Sequence, residues 1–263
     1  MIALITGASS GIGRDMAIEL ARKKYDIILV ARREDKLIEL KKEIEEKYKV
    51  RAYVYALDLI NRESCIKLHN DVKNEFKNID VLINNAGFGV CGKFTETDLN
   101  KELNMIDTNI TALHILTKLF LQDMCEVDKG HILNVASIAG FMPGPLMSGY
   151  YATKAYVVRL TQGLRQELIM RHSHVKISAL CPGPVATNFN KVAEVKFNIG
   201  EASSKLVAKH GINMMFANRI IIYNSIFIML FRILAKILPD QLMAFFCYFV
   251  QRRKIYQKKD KQL

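Results

Sequence analysis

At 263 residues, half of them apolar, the chain is long enough for one large α/β domain or two small ones and too apolar to stay unfolded. Thirty-eight Lys/Arg against 26 Asp/Glu give a net charge of +12. The excess is concentrated: from Lys205 onward eleven basic residues stand against Asp240 and Asp260, a net of +9, leaving +3 for residues 1–204. Five scattered cysteines (Cys65, Cys91, Cys125, Cys181, Cys247) exclude a zinc knuckle or redox dithiol and are expected as small buried apolar residues. The six histidines form no carboxylate grouping that would hold a metal. Nucleic acid is not expected as a partner, because no stacking aromatics alternate with the basic residues of the tail.

Taken in chain order, short β-branched runs at 2–6, 26–31, 51–56, 80–84, 131–135 and 175–181 read as strands. Helical patterns lie between them at 11–23, 34–48, 61–77, 98–126 and 150–171. Strands regularly separated by helices predict a parallel sheet covered on both faces. Ile27-Ile28-Leu29-Val30, apolar without alternation, suits a strand buried on both sides. Because residues 2–6 already read as a strand, no targeting segment is expected and folding in the cytoplasm follows.

The first strand feeds a glycine-rich turn, Gly7-Ala8-Ser9-Ser10-Gly11-Ile12-Gly13, which opens the first helix. Glycines there permit a tight turn and close backbone approach to a pyrophosphate, and the helix N-terminus offers free N–H groups to it. Where a ribose-binding acid would end the second strand stands Ala31-Arg32-Arg33. A guanidinium suits a 2′-phosphate, so NADP(H) is expected, with Arg32 favoured over Arg33. Glu34 and Asp35 suit the first turn of the next helix.

Tyr150 and Lys154, four apart in a helical stretch, share one face. An ammonium one turn away is expected to lower the phenol's pKa into a range useful for proton transfer. Tyr151 lacks a cationic partner at that offset. Ser137 ends the fifth strand, where parallel sheets gather ligands, and could hold a substrate oxygen beside Tyr150. Asn109, in the long helix after the fourth strand, could fix a water leading towards Lys154.

Together the motifs resemble the short-chain dehydrogenase/reductase family over about residues 2–190. They are TGASSGIG at 6–13, Asp58-Leu59, Asn84-Asn85-Ala86-Gly87, Asn109, Ser137, Tyr150 with Lys154, and Pro182-Gly183-Pro184-Val185-Ala186-Thr187. The resemblance implies an α/β fold of Rossmann type, a doubly wound parallel sheet with central order 3-2-1-4-5-6. It implies an oxidoreductase moving hydride between NADP(H) and a carbonyl or secondary alcohol. Catalysis would use Tyr150, Lys154, Ser137 and Asn109. Cofactor contacts would come from the turn residues, Asp58 with Leu59, Asn85-Ala86-Gly87, Tyr150, Lys154, Pro182, Gly183, Val185 and Thr187. A non-catalytic NADPH-binding protein that docks on a membrane or partner is the rival.

Residues 1–190 are thus expected to hold cofactor and catalytic groups, and 191–263 to form a lid and an apolar, basic extension of the same domain. The stretch 188–210 is mixed and polar, as for a lid. Residues 212–250 are heavily apolar, yet only 12 residues separate Arg219 from Arg232, short of the about 20 needed to span a bilayer. If 214–238 is one helix, Asn218, Ser225, Arg232 and Lys236 trace a narrow polar stripe on it. Its apolar remainder needs a cover: a small apolar substrate and a homo-oligomer seam, or an anionic membrane surface.

Overall fold

The structure is a computed structural model that describes residues 1–187 and 201–259, with side chains to residue 252. The strands β1 (Ile2–Thr6), β2 (Asp26–Ala31), β3 (Ala52–Ala56), β4 (Val81–Asn84), β5 (His131–Val135) and β6 (Lys176–Leu180) all arise within two residues of their predicted ends. Between them run α1 (Gly11–Arg22), α2 (Glu34–Tyr48), α3 (Arg62–Phe76), α4 (Leu99–Ile106), α5 (Leu113–Glu126) and α6 (Ser148–Met170). A two-stranded ribbon, β7 (Val185–Ala186) with β8 (Ala202–Ser203), follows β6 and leads into α7 (Ser204–Phe216). Then come β9 (Ile221–Ile222), α8 (Ile226–Ile237) and α9 (Asp240–Lys259).

The main sheet has the order β3-β2-β1-β4-β5-β6-β9, every pair parallel. The expected six-strand order is present, and β9 extends it by a seventh strand. Leu4, Ile28, Leu82 and Ile132 point to the face covered by α3 and α5. Ile5, Ile27, Leu29 and Ile83 point to the face covered by α1, α2 and α7. Continuous burial on both faces is why these strands lack alternation.

Two buried polar clusters fix the layers. Asn84 Nδ2 donates to Thr117 Oγ1 and Asn134 Oδ1 (both 2.9 Å), and Asn134 Nδ2 donates to Thr161 Oγ1 (3.0 Å), joining β4, β5, α5 and α6. The Asp123 carboxylate of α5 binds His69 (2.7 Å) and Lys73 of α3. Such buried polar networks rigidify their surroundings, and the first of these, in which Asn84 Oδ1 is left without a partner, lies directly under the strand ends that carry the site.

The C-terminal reading needs correction. Residues 214–238 are not one helix: α7 ends at Phe216, Asn218 adopts a left-handed backbone (φ 61°), and β9 intervenes before α8. Three of the four polar residues spaced along it are held by partners, and Lys236 is exposed. Asn218 Oδ1 accepts from Arg165 Nη2 (2.6 Å), Ser225 caps α8 by accepting from Phe227 N (3.1 Å), and Arg232 lies 5.1 Å from the Phe141 ring and 5.9 Å from that of Tyr223. Residues 202–210 of the expected lid belong to β8 and α7, while 188–200 lie outside the described residues, as do the side chains of Arg253, Lys254, Lys258 and Lys259. Among the cysteines, Cys65, Cys181 and Cys247 are buried as expected, whereas Cys91 is half-buried and Cys125 exposed.

Candidate active site

The turn between β1 and α1 is built by backbone freedom and one threonine. Gly7 (φ 67°) and Gly11 (φ 57°) occupy the left-handed region, which favours glycine. Thr6 Oγ1 accepts from the N–H groups of Asn85 and Ala86 (both 3.0 Å) and donates to Ile83 O (3.3 Å). Asn85 Nδ2 in turn donates to Thr6 O (3.0 Å) and Gly7 O (3.3 Å). A Cβ on Gly7 would sit 2.9 Å from Ala86 Cα, and one on Gly13 2.5 Å from Gly7 O. The first turn of α1 holds no acid, and the Ser10 side chain makes no capping bond. That leaves the helix N-terminus, with Gly11, Ile12 and Gly13, presenting N–H groups and a positive dipole end.

At the rim, Arg33 Nη2 donates to Ser9 Oγ (2.9 Å) and Ser10 Oγ (3.0 Å). Arg32, the favoured arginine from sequence, instead faces Asp58 at 3.8 Å, both groups well exposed. Arg33 is therefore the cation placed on the turn. Asp58 Oδ1 also accepts from Ile60 N (3.1 Å), and Leu59 is buried beneath it. Glu34 and Asp35 occupy the first turn of α2, as anticipated.

Tyr150, Lys154, Ser137 and Asn109 are all buried, and the strand ends bring them together. A side-chain hydrogen bond joins Tyr150 to Ser137. Burial pushes the phenol up to about 12, against which the Ser137 bond pulls only partly. Lys154 Nζ donates to Val135 O (2.9 Å) and lies 5.8 Å from the Tyr150 ring centroid. Burial lowers it to about 8, opposed by the neighbouring Cys181. The expected depression of Tyr150 by Lys154 is thus absent here. Desolvation dominates, and the ammonium is turned to the Val135 carbonyl.

Asn109 sits in a π-helical turn, Asp107–Ala112, between α4 and α5. Such a turn inserts one residue and re-aims its side chains. Its Nδ2 donates to Phe88 O (2.9 Å) and Thr153 Oγ1 (3.0 Å), and its Oδ1 accepts from Phe88 N (3.0 Å). Thr153 Oγ1 donates onward to Tyr150 O (2.7 Å). A Cβ on Gly87 would lie 2.7 Å from Asn109 Oδ1 and 3.6 Å from Lys154 Nζ, so the missing side chain leaves open the space between them.

The segment after β6 closes the circuit. Pro182 O accepts from Ile138 N (2.9 Å), and Gly183 N donates to Asn224 Oδ1 (3.0 Å). Val185 is buried in β7, and Thr187 reaches the phosphate turn, its Cγ2 3.0 Å from where a Gly11 Cβ would be. Tyr151, which lacks a cation one turn on, bonds Gln251 of α9 instead, Nε2 donating to its hydroxyl (2.6 Å). Sequence reasoning missed the supporting roles of Thr6, Thr153, Asn224 and Gln251. Thr6 stands inside a motif, but the others carry no spacing signal. Among the described residues no group of His, Cys, Asp or Glu could hold a metal.

A family model described as short chain dehydrogenase matches residues 1–196. The chain belongs to the short-chain dehydrogenase family. An NADP-dependent 3-hydroxy acid dehydrogenase of Schizosaccharomyces pombe is 38% identical over 191 residues, covering 72% of this chain and 73% of that one. Very-long-chain 3-oxoacyl-CoA reductase-B of Danio rerio is 36% identical over 203 residues, covering 75% of this chain and 63% of that one. A short-chain dehydrogenase from Sphingobium yanoikuyae, solved in complex with NADPH, superposes with a TM-score of 0.81 at 28% identity, over 86% of this chain and 88% of that one. As a short-chain dehydrogenase, the chain has its family-matched part in the sheet and the two clusters just described. The helices α8 and α9 lie beyond the match.

Proposed function

We propose that this short-chain dehydrogenase is an NADPH-dependent reductase of apolar ketones or 3-oxoacyl compounds, with Tyr150 as general acid, and as general base in the reverse direction. The observation that carries the reading is the buried Tyr150–Ser137 hydrogen bond beside Lys154. The turn fits a dinucleotide: two left-handed glycines, an uncapped helix N-terminus and Arg33 converge on one rim. Arg33, with Ser9 and Ser10, would meet a 2′-phosphate, in keeping with the NADP dependence of the Schizosaccharomyces relative. Asp58 and Asn85-Ala86-Gly87 would line the adenosine side, and Pro182, Gly183, Val185 and Thr187 the nicotinamide side. Residues 1–190 would form this cofactor and catalytic unit, with 191–263 covering its substrate side.

Bound NADPH would supply the hydride. A phenol held near 12 keeps its proton at neutral pH, as an acid in the reductive direction requires. Ser137 orients the substrate oxygen towards that proton. Lys154, charged below about 8, offsets the negative charge that develops on the phenolic oxygen as the proton leaves. Asn109 and Thr153 position Tyr150 through the chain of bonds ending on its carbonyl.

The test is NADPH consumption with a panel of apolar ketones and 3-oxoacyl thioesters. Tyr150→Phe should reduce turnover about 10²- to 10⁴-fold while NADPH affinity stays within a few-fold of the parent. Undiminished turnover in that variant would remove Tyr150 from the chemistry.

A further inference from the structure

The most unusual surface of the molecule is the pair α8 and α9. On α8, Ile226, Leu230, Ile233 and Ile237 recur at helical spacing and, with Phe227, Phe231 and Leu234, stay exposed, Phe227 at 78% and Ile237 at 74%. Only Ala235 of that helix is buried. On α9, Leu242, Phe245, Phe246, Phe249 and Val250 form a second exposed row. The neighbouring stripe of α9, Met243, Cys247 and Gln251, is buried, and Gln251 holds Tyr151. The fold thus anchors α9 by one stripe and leaves the adjoining apolar one uncovered.

Charge selects the cover. Arg159, Arg232 and Lys236 line a cavity of about 260 Å³ at the flank of α8, with Asp240 as its one acid. From Lys205 onward the sequence carries a net of +9. A symmetric dimer through this face would bring two such segments together and set like charges against each other. An anionic bilayer takes both features at once, apolar side chains into the acyl boundary and basic ones onto headgroup phosphates. No helix among the described residues is long and apolar enough to cross a membrane, so the pair would lie on the surface.

We propose that the exposed face of α8 and α9 is a docking surface for an anionic lipid bilayer, with a phospholipid headgroup held by Arg159 and Lys236 at the mouth of that cavity. The surface brings membrane-dissolved carbonyl substrates to the catalytic helix through the α9–Tyr151 contact. The second part rests on the reductase reading; the docking itself does not.

Flotation of the full chain with vesicles of phosphatidylglycerol and phosphatidylcholine, against phosphatidylcholine alone, tests it. The parent should float with the anionic vesicles. The variant Leu230→Ser/Ile237→Ser/Phe245→Ser should lose on the order of a thousandfold in partitioning, because burying each of the three apolar side chains is worth about tenfold. Arg159→Gln/Lys236→Gln should lose the preference for anionic lipid. Thermal unfolding and NADPH titration check that both variants fold. A parent that stays in solution with anionic vesicles overturns the proposal. So does a parent dimer, seen by sedimentation velocity, that the triple variant converts to monomer. Reduction of a water-soluble ketone, equal in parent and triple variant, keeps the enzymatic reading apart. A long-chain ketone carried in the vesicles should be reduced faster by the parent alone.

Discussion

Gly13 offers a test in which two opposing effects have different sizes. It lies in the first turn of α1 with no left-handed backbone, so alanine there gains roughly 0.8–1.0 kcal/mol of helix propensity. The new Cβ, however, would sit 2.5 Å from Gly7 O and closer still to Asn85 Nδ2. Overpacking of that kind costs about 1–3 kcal/mol. Displacing Asn85 also weakens its bonds to Thr6 O and Gly7 O, about 1 kcal/mol each. The sum is a destabilisation on the order of 2 kcal/mol, read as a fall in Tm of roughly 4–8 °C for a chain of this size. The same shift moves the turn that would cradle the phosphates. Losing one charge-assisted bond there, about 1.5–3 kcal/mol, corresponds to a Kd for NADPH about tenfold to a hundredfold higher. Fluorescence titration of NADPH and thermal unfolding of Gly13→Ala, measured side by side, check both. An unchanged Kd together with a lowered Tm would mean that the cofactor does not rest on this turn.

Arg33→Ala should raise KM for NADPH about tenfold or more, the size of a lost charge-assisted bond, while KM for NADH barely moves. Arg32→Ala should have the smaller effect, since that side chain faces Asp58, and steady-state kinetics giving the reverse ranking would hand the 2′-phosphate to Arg32. Reductive kcat should fall as pH rises through about 8, where the buried Lys154 gives up its proton, and no second limb is expected below that value because Tyr150 keeps its proton up to about 12. In Lys154→Arg, whose guanidinium holds its charge throughout that range, the descending limb should vanish from the pH profile; a limb that persists belongs to another group.

The sequence makes the sheet legible for a simple physical reason. A strand buried on both faces must be apolar without alternation, and Ile27 to Val30 can be little else. The chemistry-bearing residues are legible for a related reason. Gly7 and Gly11 do backbone work that other residues do poorly, and the four-residue offset of Tyr150 and Lys154 survives any packing of α6. Depth is what spacing does not encode. The same offset that puts Lys154 on the face of Tyr150 says nothing about desolvation, which raises the phenol instead of lowering it. The π turn around Asn109 is hidden because one inserted residue barely disturbs a helical pattern.

The C-terminal quarter shows the same limit more sharply. Intervals of seven, seven and four match a helical stripe, yet Asn218, Ser225 and Arg232 are each turned to a separate partner, Arg165, the N-terminus of α8, and Phe141 with Tyr223. Each partner comes from tertiary packing, and Gln251 finds Tyr151 a hundred positions away. Two of the four stripe residues, Asn218 and Arg232, are thus spent inward, holding this segment to the body, while Lys236 stays exposed. That is why the apolar residues are the ones left outside, and why this surface calls for a partner that the main sheet does not need.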